Sequence, residues 1–428
     1  MLTSFTNPPK SEWSQLLARP SLNFNELKDK VDAILRAVRI NGDRALVTYN
    51  SQFDGYTDAT LAVTTQEIIQ SAERVDHQLK EAIQGAIRNV RTFHQSQWHQ
   101  EDEVETMPGV RCSRRWTAID RVGLYIPGGS APLFSTVIML GVPAQIAGVK
   151  EVILCTPPNS KGEIHPAILY SASQLGIQKI YKTGGAQAIA AMAYGTETVE
   201  KCDKIFGPGN QYVACAKALV SMEGVGIDML AGPSEVAVIA DQNANPYFVA
   251  ADLLSQAEHG PDSQVMLFTT DDGFAKKVAT AIEELLEELP RKEIAQKALR
   301  NSKAFYFEHT DELVEMVNQY ACEHLIINTI NAREWSERIT NAGSIFLGPY
   351  SPESVGDYAS GTNHTLPTNG FARYTAGVSV DSFIKKITIQ ELSSEGIRQV
   401  GPWVECMAEA EGLHAHKLAV RVRLNTLL

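Results

Sequence analysis

The pattern of apolar and polar residues changes character along the chain. Residues 25–100 carry apolar side chains at helical spacing, and from Arg121 onward short β-branched runs alternate with helical runs. The alternation resumes after Gly232. The apolar face of the first predicted helix consists of Leu27, Val31, Ile34, Leu35 and Val38. Strands that alternate with helices predict parallel sheets with right-handed crossovers. We therefore predict an α/β protein of two Rossmann-like parallel-sheet domains, one inserted in the other, with small helical segments at both termini.

The same pattern divides the chain into four parts. They are an N-terminal arm (1–23), a first α/β domain that carries the candidate catalytic residues (24–118 and 231–378), a second α/β domain (119–230) and a C-terminal helical tail (379–428). The pattern predicts that the tail forms two helices joined near Val400-Gly401-Pro402. A segment of this size is marginal alone, so we expect it to pack on something else, and a second copy of the chain offers such a surface.

Composition and charge exclude several classes of protein. Lys and Arg number 38 against 50 Asp and Glu, so a net charge of −12 disfavours binding to nucleic acid or anionic lipid. Residues 122–149 lack charged side chains, but glycines and prolines interrupt them, which predicts a buried strand, a turn and a helix rather than a membrane span. The N-terminus lacks the pattern of a signal peptide. The 6 cysteines form no CxxC pair, as expected for reduced thiols in a cytoplasmic protein.

The segment SQAEHG places Gln256 and His259 on one face at the end of a predicted helix, which Asn245 and Pro246 begin. An amide oxygen and an imidazole there could hold a divalent metal, and a solvated polar helix end is the alternative. Next, Glu323 and His324 stand side by side where a helix meets a strand. Such a pair suits acid–base chemistry at neutral pH, although adjacent pairs also arise by chance.

Two further segments contain polar and ionisable side chains. A glycine-rich loop carries Asp357 and His364, and EGLHAHKLAV carries Glu411, His414 and His416. His414 and His416 are two residues apart, so on a helix at most one of them is expected to bind a metal. Mixed oxygen and nitrogen ligands are typical of a catalytic rather than a structural zinc site.

Three glycine turns follow predicted strands and precede predicted helices, although no G-x-G-x-x-G motif is present. They are Gly128-Gly129, Gly184-Gly185 and Gly207-Pro208-Gly209-Asn210. A helix N-terminus at the carboxyl end of a strand is a favourable place for phosphate. Together the turns predict a nucleotide cleft.

Taken together, these motifs resemble those of the histidinol dehydrogenases. The segments are VGLYIPGG, TGGAQAIAA, FGPGN, AGPSEV, SQAEHG, EHL, ESVGDYASGTNHTLPT and AHKLAV. The resemblance implies a zinc-dependent enzyme that oxidises L-histidinol through L-histidinal to L-histidine with two NAD, the last step of histidine biosynthesis. It also implies a homodimer with shared active sites and one zinc per subunit, in which the partner supplies the fourth zinc ligand.

The resemblance assigns roles to individual residues. It implies zinc ligands at Gln256, His259, Asp357 and His416, and catalytic residues at Glu323 and His324. His324 suits the general base, and Glu323 suits activation of the water that the aldehyde takes up. Substrate contacts are implied at the zinc ligands, His324, Ser234, His364 and Glu411, and NAD contacts at Tyr125, Gln187 and Asn210.

Three rival hypotheses remain at this stage. One is an aldehyde-dehydrogenase-like enzyme with Cys112 or Cys155 as the nucleophile, which replacement of each cysteine would test. Another is a zinc hydrolase, which would bind no nucleotide. The third is a metal-binding module without activity, which would leave the glycine turns and the Glu323-His324 pair unexplained.

Overall fold

The computed structural model describes residues 2–20, 24–128, 132–230 and 232–427. Within these ranges the strands form two parallel sheets and one small antiparallel sheet. The strands are β1 (Thr3–Thr6), β2 (Glu103–Met107), β3 (Val110–Ala118), β4 (Arg121–Tyr125), β5 (Glu151–Thr156), β6 (Lys179–Lys182), β7 (Lys204–Phe206), β8 (Gly226–Ile227), β9 (Glu235–Ala240), β10 (Gln264–Thr269), β11 (Lys303–Tyr306), β12 (His324–Asn328), β13 (Ser344–Leu347) and β14 (Ile384–Leu392).

The helices account for most of the remaining chain. They are α1 (Trp13–Leu16), α2 (Phe24–Asn41), α3 (Asp43–Asp54), α4 (Thr65–Arg74), α5 (His77–Gln95), α6 (Phe134–Ala147), α7 (Pro166–Gln174), α8 (Gly185–Tyr194), α9 (Gln211–Met222), α10 (Pro246–Ala257), α11 (Phe274–Leu286), α12 (Lys292–Leu299), α13 (Thr310–Tyr320), α14 (Ala332–Glu337), α15 (Glu353–Tyr358), α16 (Ser394–Ala410) and α17 (His414–Asn425). None of them, in the part of the chain that is described, combines the length and apolar character needed to cross a membrane.

The larger sheet has the strand order β1-β11-β10-β9-β12-β13, and every pair in it is parallel. Strands β9, β10 and β12 are buried along their whole length. Their nearly continuous apolar runs are typical of parallel strands covered on both faces. Strand order reverses between β9 and β12, so these neighbours form the switch point of the sheet.

The smaller sheet repeats this wiring in the order β6-β5-β4-β7-β8, again all parallel. Its switch point lies between β4 and β7. The charge-free stretch at 122–149 is the buried strand β4 followed by the helix α6, as predicted, and α6 is buried on nearly every side. Gly129 of the predicted turn lies outside the described residues. The predicted fold class, two parallel α/β sheets with one inserted in the chain of the other, is confirmed.

The packing of the N-terminal helices differs from the predicted grouping. Helix α2 packs on α8 and α9, α4 packs on α7, and α5 packs on α6. All of these partners belong to the smaller sheet, and the cores on its two faces include apolar residues of α2 and α5. By packing, residues 24–95 therefore accompany the smaller sheet, whereas the sequence had grouped 24–118 with the larger one. The periodicity of a helix shows that it has an apolar face but not which surface covers that face.

Both termini also contain strands that the sequence pattern did not reveal. In the arm, β1 pairs with β11 at the edge of the larger sheet, and in the tail β14 pairs antiparallel with β3. Helix α16 runs through Gly401 and Pro402 without a break. The chain turns at Gly412 instead, where φ is 74°. The predicted junction near 400–402 is therefore wrong. Helix α16 continues past Pro402 to Ala410, and the next helix begins at His414.

Candidate active site at the junction of the two sheets

The Glu323-His324 pair lies at the amino end of β12, at the switch point of the larger sheet. Both side chains are buried. Glu323 Oε2 accepts a hydrogen bond from the backbone N–H of Glu235, the first residue of β9, at 2.9 Å. His324 Nδ1 lies 3.3 Å from the carbonyl oxygen of Glu235. The start of the neighbouring strand therefore fixes both members of the pair.

The His324 imidazole lies between two oxygen acceptors. Its Nε2 is 3.2 Å from Asp357 Oδ1, opposite the Nδ1 contact with Glu235. Since neither oxygen has a proton to give, both ring nitrogens must donate for both bonds to form. Burial opposes the charged form, but the carboxylates of Glu323 and Asp357 outweigh it and raise the pKa of His324 well above its usual value.

Gln256 is buried in the last turn of α10, directly beside this pair. Its Nε2 donates to Glu323 Oε2 at 3.3 Å. Its Oε1 is buried and has no hydrogen-bond partner among the described residues. The helix begins as predicted, with Asn245 capping the N–H of Tyr247 and Pro246 as its first residue. Glu323 thus orients the amide so that its oxygen is free for a ligand.

Asp357 and His364 complete the cluster. Burial opposes ionisation of Asp357, yet the hydrogen bond and charge of His324, with smaller contributions from His364 and His259, lower its pKa. Burial lowers the pKa of His364, whose Nε2 is also without a partner within the described chain. His259 is exposed just beyond the end of α10. The structure therefore brings together five predicted site residues beside Glu323, namely Gln256, His259, His324, Asp357 and His364.

A small cavity of about 90 Å³ connects this cluster to the smaller sheet. Its lining includes Ser234, Glu323 and His364 from one side and Gly207-Pro208-Gly209 from the other. Gly207 follows β7, so the carboxyl end of the smaller sheet's switch point meets the amino end of the larger sheet's. Open α/β sheets bind ligands at the carboxyl side of the switch point. In this fold, however, the catalytic candidates Glu323 and His324 lie at the amino end of the larger sheet, across the cavity from the carboxyl end of the smaller sheet.

The three predicted NAD contacts lie around this edge of the smaller sheet. Tyr125 ends β4, and its hydroxyl accepts the N–H of Gly185 at 3.2 Å, while burial raises its pKa to about 12. Gln187 is buried in the first turn of α8, and its Oε1 lacks a partner among the described residues. Asn210 caps α9 by accepting the N–H groups of Tyr212 and Val213.

Glu411 and His416 are not part of the cluster within one chain. Both are exposed, and α17, which carries His416, packs mainly on α16. Among the described residues, no group of three His, Cys, Asp or Glu side chains has the geometry to hold a metal ion. The predicted set of four zinc ligands is not assembled by a single copy of the chain.

Sequence reasoning missed Glu353, a buried residue in the first turn of α15. Its Oε1 accepts a hydrogen bond from Ser255 at 2.7 Å, and its Oε2 lies 4.0 Å from His324 Nδ1. Burial raises its pKa to about 8. Because Ser255 precedes Gln256 and Glu353 lies one turn before Asp357, this bond joins the two helices that carry predicted ligands. The only sequence signal was that spacing to Asp357, and the spacing does not reveal burial.

Neither cysteine of the rival thiol hypothesis lies at this site. Cys155 is fully buried in β5, where burial raises the pKa of its thiol well above the usual value. Cys112 lies on β3 and lines a separate groove. No cysteine lines the described part of the cavity that holds Glu323 and His364.

Comparisons with protein families, with curated sequences and with solved structures all match this chain to histidinol dehydrogenases over nearly its whole length. A family model for histidinol dehydrogenase matches residues 17–424. Histidinol dehydrogenase of Bacteroides thetaiotaomicron is 56% identical over 427 residues, which cover 100% of both sequences. That of Escherichia coli K12 is 52% identical over 416 residues, covering 96% of this chain and 95% of that protein. The crystal structure of the enzyme from Elizabethkingia anophelis matches with a TM-score of 0.97 and 52% identity, over 100% of this chain and 98% of that one. The chain belongs to the histidinol dehydrogenase family.

Proposed function

We propose that this protein oxidises L-histidinol through L-histidinal to L-histidine with two NAD. The observation that carries the proposal is the meeting, at one cavity, of the buried Glu323-His324 pair and the Gly207-Pro208-Gly209 turn. Conversion of an alcohol to an acid removes four electrons, so two hydrides leave, one to each NAD. A water molecule supplies the second oxygen between the two steps.

His324 is proposed as the general base of both oxidations. As each hydride leaves, the hydroxyl proton must move to a base, and a positioned imidazole suits this transfer near neutral pH. Nε2, which faces Asp357, is the nitrogen assigned to the substrate, because Nδ1 is directed at the Glu235 carbonyl. A cation bound by Asp357 would compete for that carboxylate and lower the pKa of His324, which favours the neutral imidazole.

Glu323 is proposed to activate the water that adds to the aldehyde. Its Oε2 is held by the N–H of Glu235 and by Gln256 Nε2. These bonds fix the carboxylate on the wall of the cavity. The gem-diol formed by addition of water then loses a proton to His324 and a hydride to the second NAD.

The residues present suit zinc. Gln256 Oε1 is a buried oxygen without a partner in the described chain, and Asp357 and His259 supply a carboxylate and an imidazole nearby. Gln256, His259, Asp357 and His416 would hold the ion, with His416 contributed by a second copy of the chain. Bound zinc would grip the imidazole and amino group of the substrate and so position its carbinol.

A cytoplasmic homodimer completes the proposal. His416 and Glu411 are exposed on a tail that is rich in exposed apolar side chains, including Trp403, Met407 and Leu418. A two-fold related copy would cover such a surface and bring the tail of each chain to the site of the other. We assign NAD binding to residues 119–230, and the zinc and catalytic residues to 231–378.

The first experiment measures NADH formation from L-histidinol with and without a chelator. We expect activity that the chelator abolishes and added zinc restores, with a far-ultraviolet circular dichroism spectrum that does not change. Activity that persists after verified zinc removal would contradict the zinc assignment. If the protein forms no NADH and a titration detects no NAD binding, a zinc hydrolase is favoured instead.

Sharing of sites is tested by mixing two inactive variants. His416→Ala and His259→Ala subunits are unfolded and refolded together, with each variant refolded alone as the control. If sites are shared, a mixed dimer has one site with both lesions and one with neither, so activity returns. One variant carries an affinity tag, so that mixed dimers can be isolated, and isolated mixed dimers that stay inactive would contradict sharing.

A further inference from the structure

A buried ion pair lies directly behind the glycine turn of the smaller sheet. Lys217, on α9, and Asp228, just after β8, contact each other, and their side chains are 2% and 1% exposed. Neither belongs to the residues assigned above. Burial of two charges costs several kcal/mol per ion unless their remaining hydrogen-bonding groups are satisfied, so the partners of the pair are informative.

Those partners are the two backbone polar groups of Gly207. Lys217 Nζ donates to the Gly207 carbonyl oxygen at 3.0 Å, and the Gly207 N–H donates to Asp228 Oδ2 at 2.8 Å. Asp228 Oδ1 also accepts the N–H of Met229 at 2.7 Å. The pair therefore holds the turn by both its donor and its acceptor.

Gly207 needs this support because of its conformation. Its φ is 126°, a value that residues other than glycine rarely adopt, and a Cβ there would lie 2.1 Å from the Tyr125 carbonyl oxygen. Such backbone persists where its surroundings over-determine it. The turn follows β7 directly, where β7 pairs with β4 at the switch point, and its last residue, Asn210, caps α9.

We propose that Lys217 and Asp228 are positioning residues for NAD, which hold the Gly207–Asn210 turn in the conformation that receives the cofactor. The inference rests on the proposed function, since it takes the turn to be part of the NAD site. Both residues also line the cavity that contains Glu323 and His364. An apolar pair of similar volume could supply comparable stability, but it could not hold the N–H and the carbonyl of Gly207.

The test compares Lys217→Met with a control lysine of the same sheet, Lys179→Met. Lys179 begins β6 at the amino end of the sheet, and its Nζ pairs with Glu151 and Glu200, away from the turn. For Lys217→Met we expect the KM for NAD to rise roughly 10- to 100-fold, the loss typical of a misplaced binding group. The kcat at saturating NAD and the KM for histidinol should stay close to those of the unsubstituted protein, and the control should leave all three unchanged.

A second variant separates positioning from stability. Lys217→Met/Asp228→Asn leaves no uncompensated charge and keeps an oxygen for the Gly207 N–H, so it should unfold at a higher temperature than Lys217→Met. Its KM for NAD should remain raised, because the Gly207 carbonyl is still unsupported. An unchanged KM in a folded double variant, or failure of both variants to fold, would overturn the positioning role. If the unsubstituted protein itself shows no NAD-dependent oxidation of histidinol, the proposed function fails and this inference fails with it.

Discussion

The ion pair between Arg19 and Glu235 joins the N-terminal arm to the strand that supports the catalytic pair. The side chain of Glu235 is 2% exposed and that of Arg19 is 15% exposed. Arg19 Nη2 donates to Glu235 Oε2 at 2.9 Å and to the Tyr320 carbonyl at 2.7 Å, and its guanidinium lies 4.2 Å from the centre of the Tyr320 ring. Substitution Arg19→Met would remove all of these contacts while retaining an apolar chain.

The expected loss of stability comes from the buried carboxylate of Glu235, which the substitution leaves without its ion-pair partner. Glu235 would be a buried carboxylate that keeps only the N–H of Asn369, at 2.8 Å, among the hydrogen bonds described for its side chain. Removal of one partner of a buried pair typically costs about 3–5 kcal/mol. The backbone of Glu235 also holds Glu323 and His324, so kcat should fall as well. A second change, Glu235→Gln, removes the stranded charge and should recover about 1–3 kcal/mol relative to the sum of the single losses.

Urea unfolding of the unsubstituted protein, both single variants and the double variant measures this coupling. The control is Lys10→Met. Lys10 belongs to the same arm and forms an ion pair with Glu315, and both side chains are more than half exposed. Exposed pairs contribute about 0–1 kcal/mol, so the control should change the free energy of unfolding little. If Arg19→Met costs no more than the control, or if the single losses simply add, the reasoning is refuted.

Three further predictions concern the site and its surroundings. Glu323→Gln should slow oxidation of histidinal more than that of histidinol, and separate assays of the two substrates that show equal losses would contradict the division of roles. Burial raises the pKa of Asp252 from 3.8 to about 7, so ionisation of this carboxyl destabilises the folded protein increasingly as pH rises between these values. Asp252→Asn should therefore increase the free energy of unfolding at pH 8, by up to about 4 kcal/mol, but not near pH 4; equal gains at both pH values would refute this. Cys112→Ala and Cys155→Ala should retain turnover in the NADH assay, and a loss of activity in a folded variant would revive the thiol mechanism.

The sequence was informative wherever the signal is local. Alternation of strands and helices predicted both parallel sheets, and the charge-free stretch predicted β4 and α6. Asn245 and Pro246 marked the start of α10, because capping depends only on neighbouring residues. The segments around Gln256, Glu323 and Asp357 indicated the family, and the structure brings these three residues together.

Tertiary structure alone decided which surfaces meet. The packing of α2 and α5 on the smaller sheet and the pairing of β14 with β3 depend on partners far along the chain. The polar contacts that hold the site, including those of Glu353 with Ser255 and of Lys217 with Asp228, likewise form only when buried elements meet in the folded chain. Hydrophobic periodicity reports that a face is buried, whereas the pairing of charges and hydrogen bonds depends on which buried faces come into contact. A polar residue in a helix therefore has the same sequence pattern whether it faces water or supports a catalytic pair.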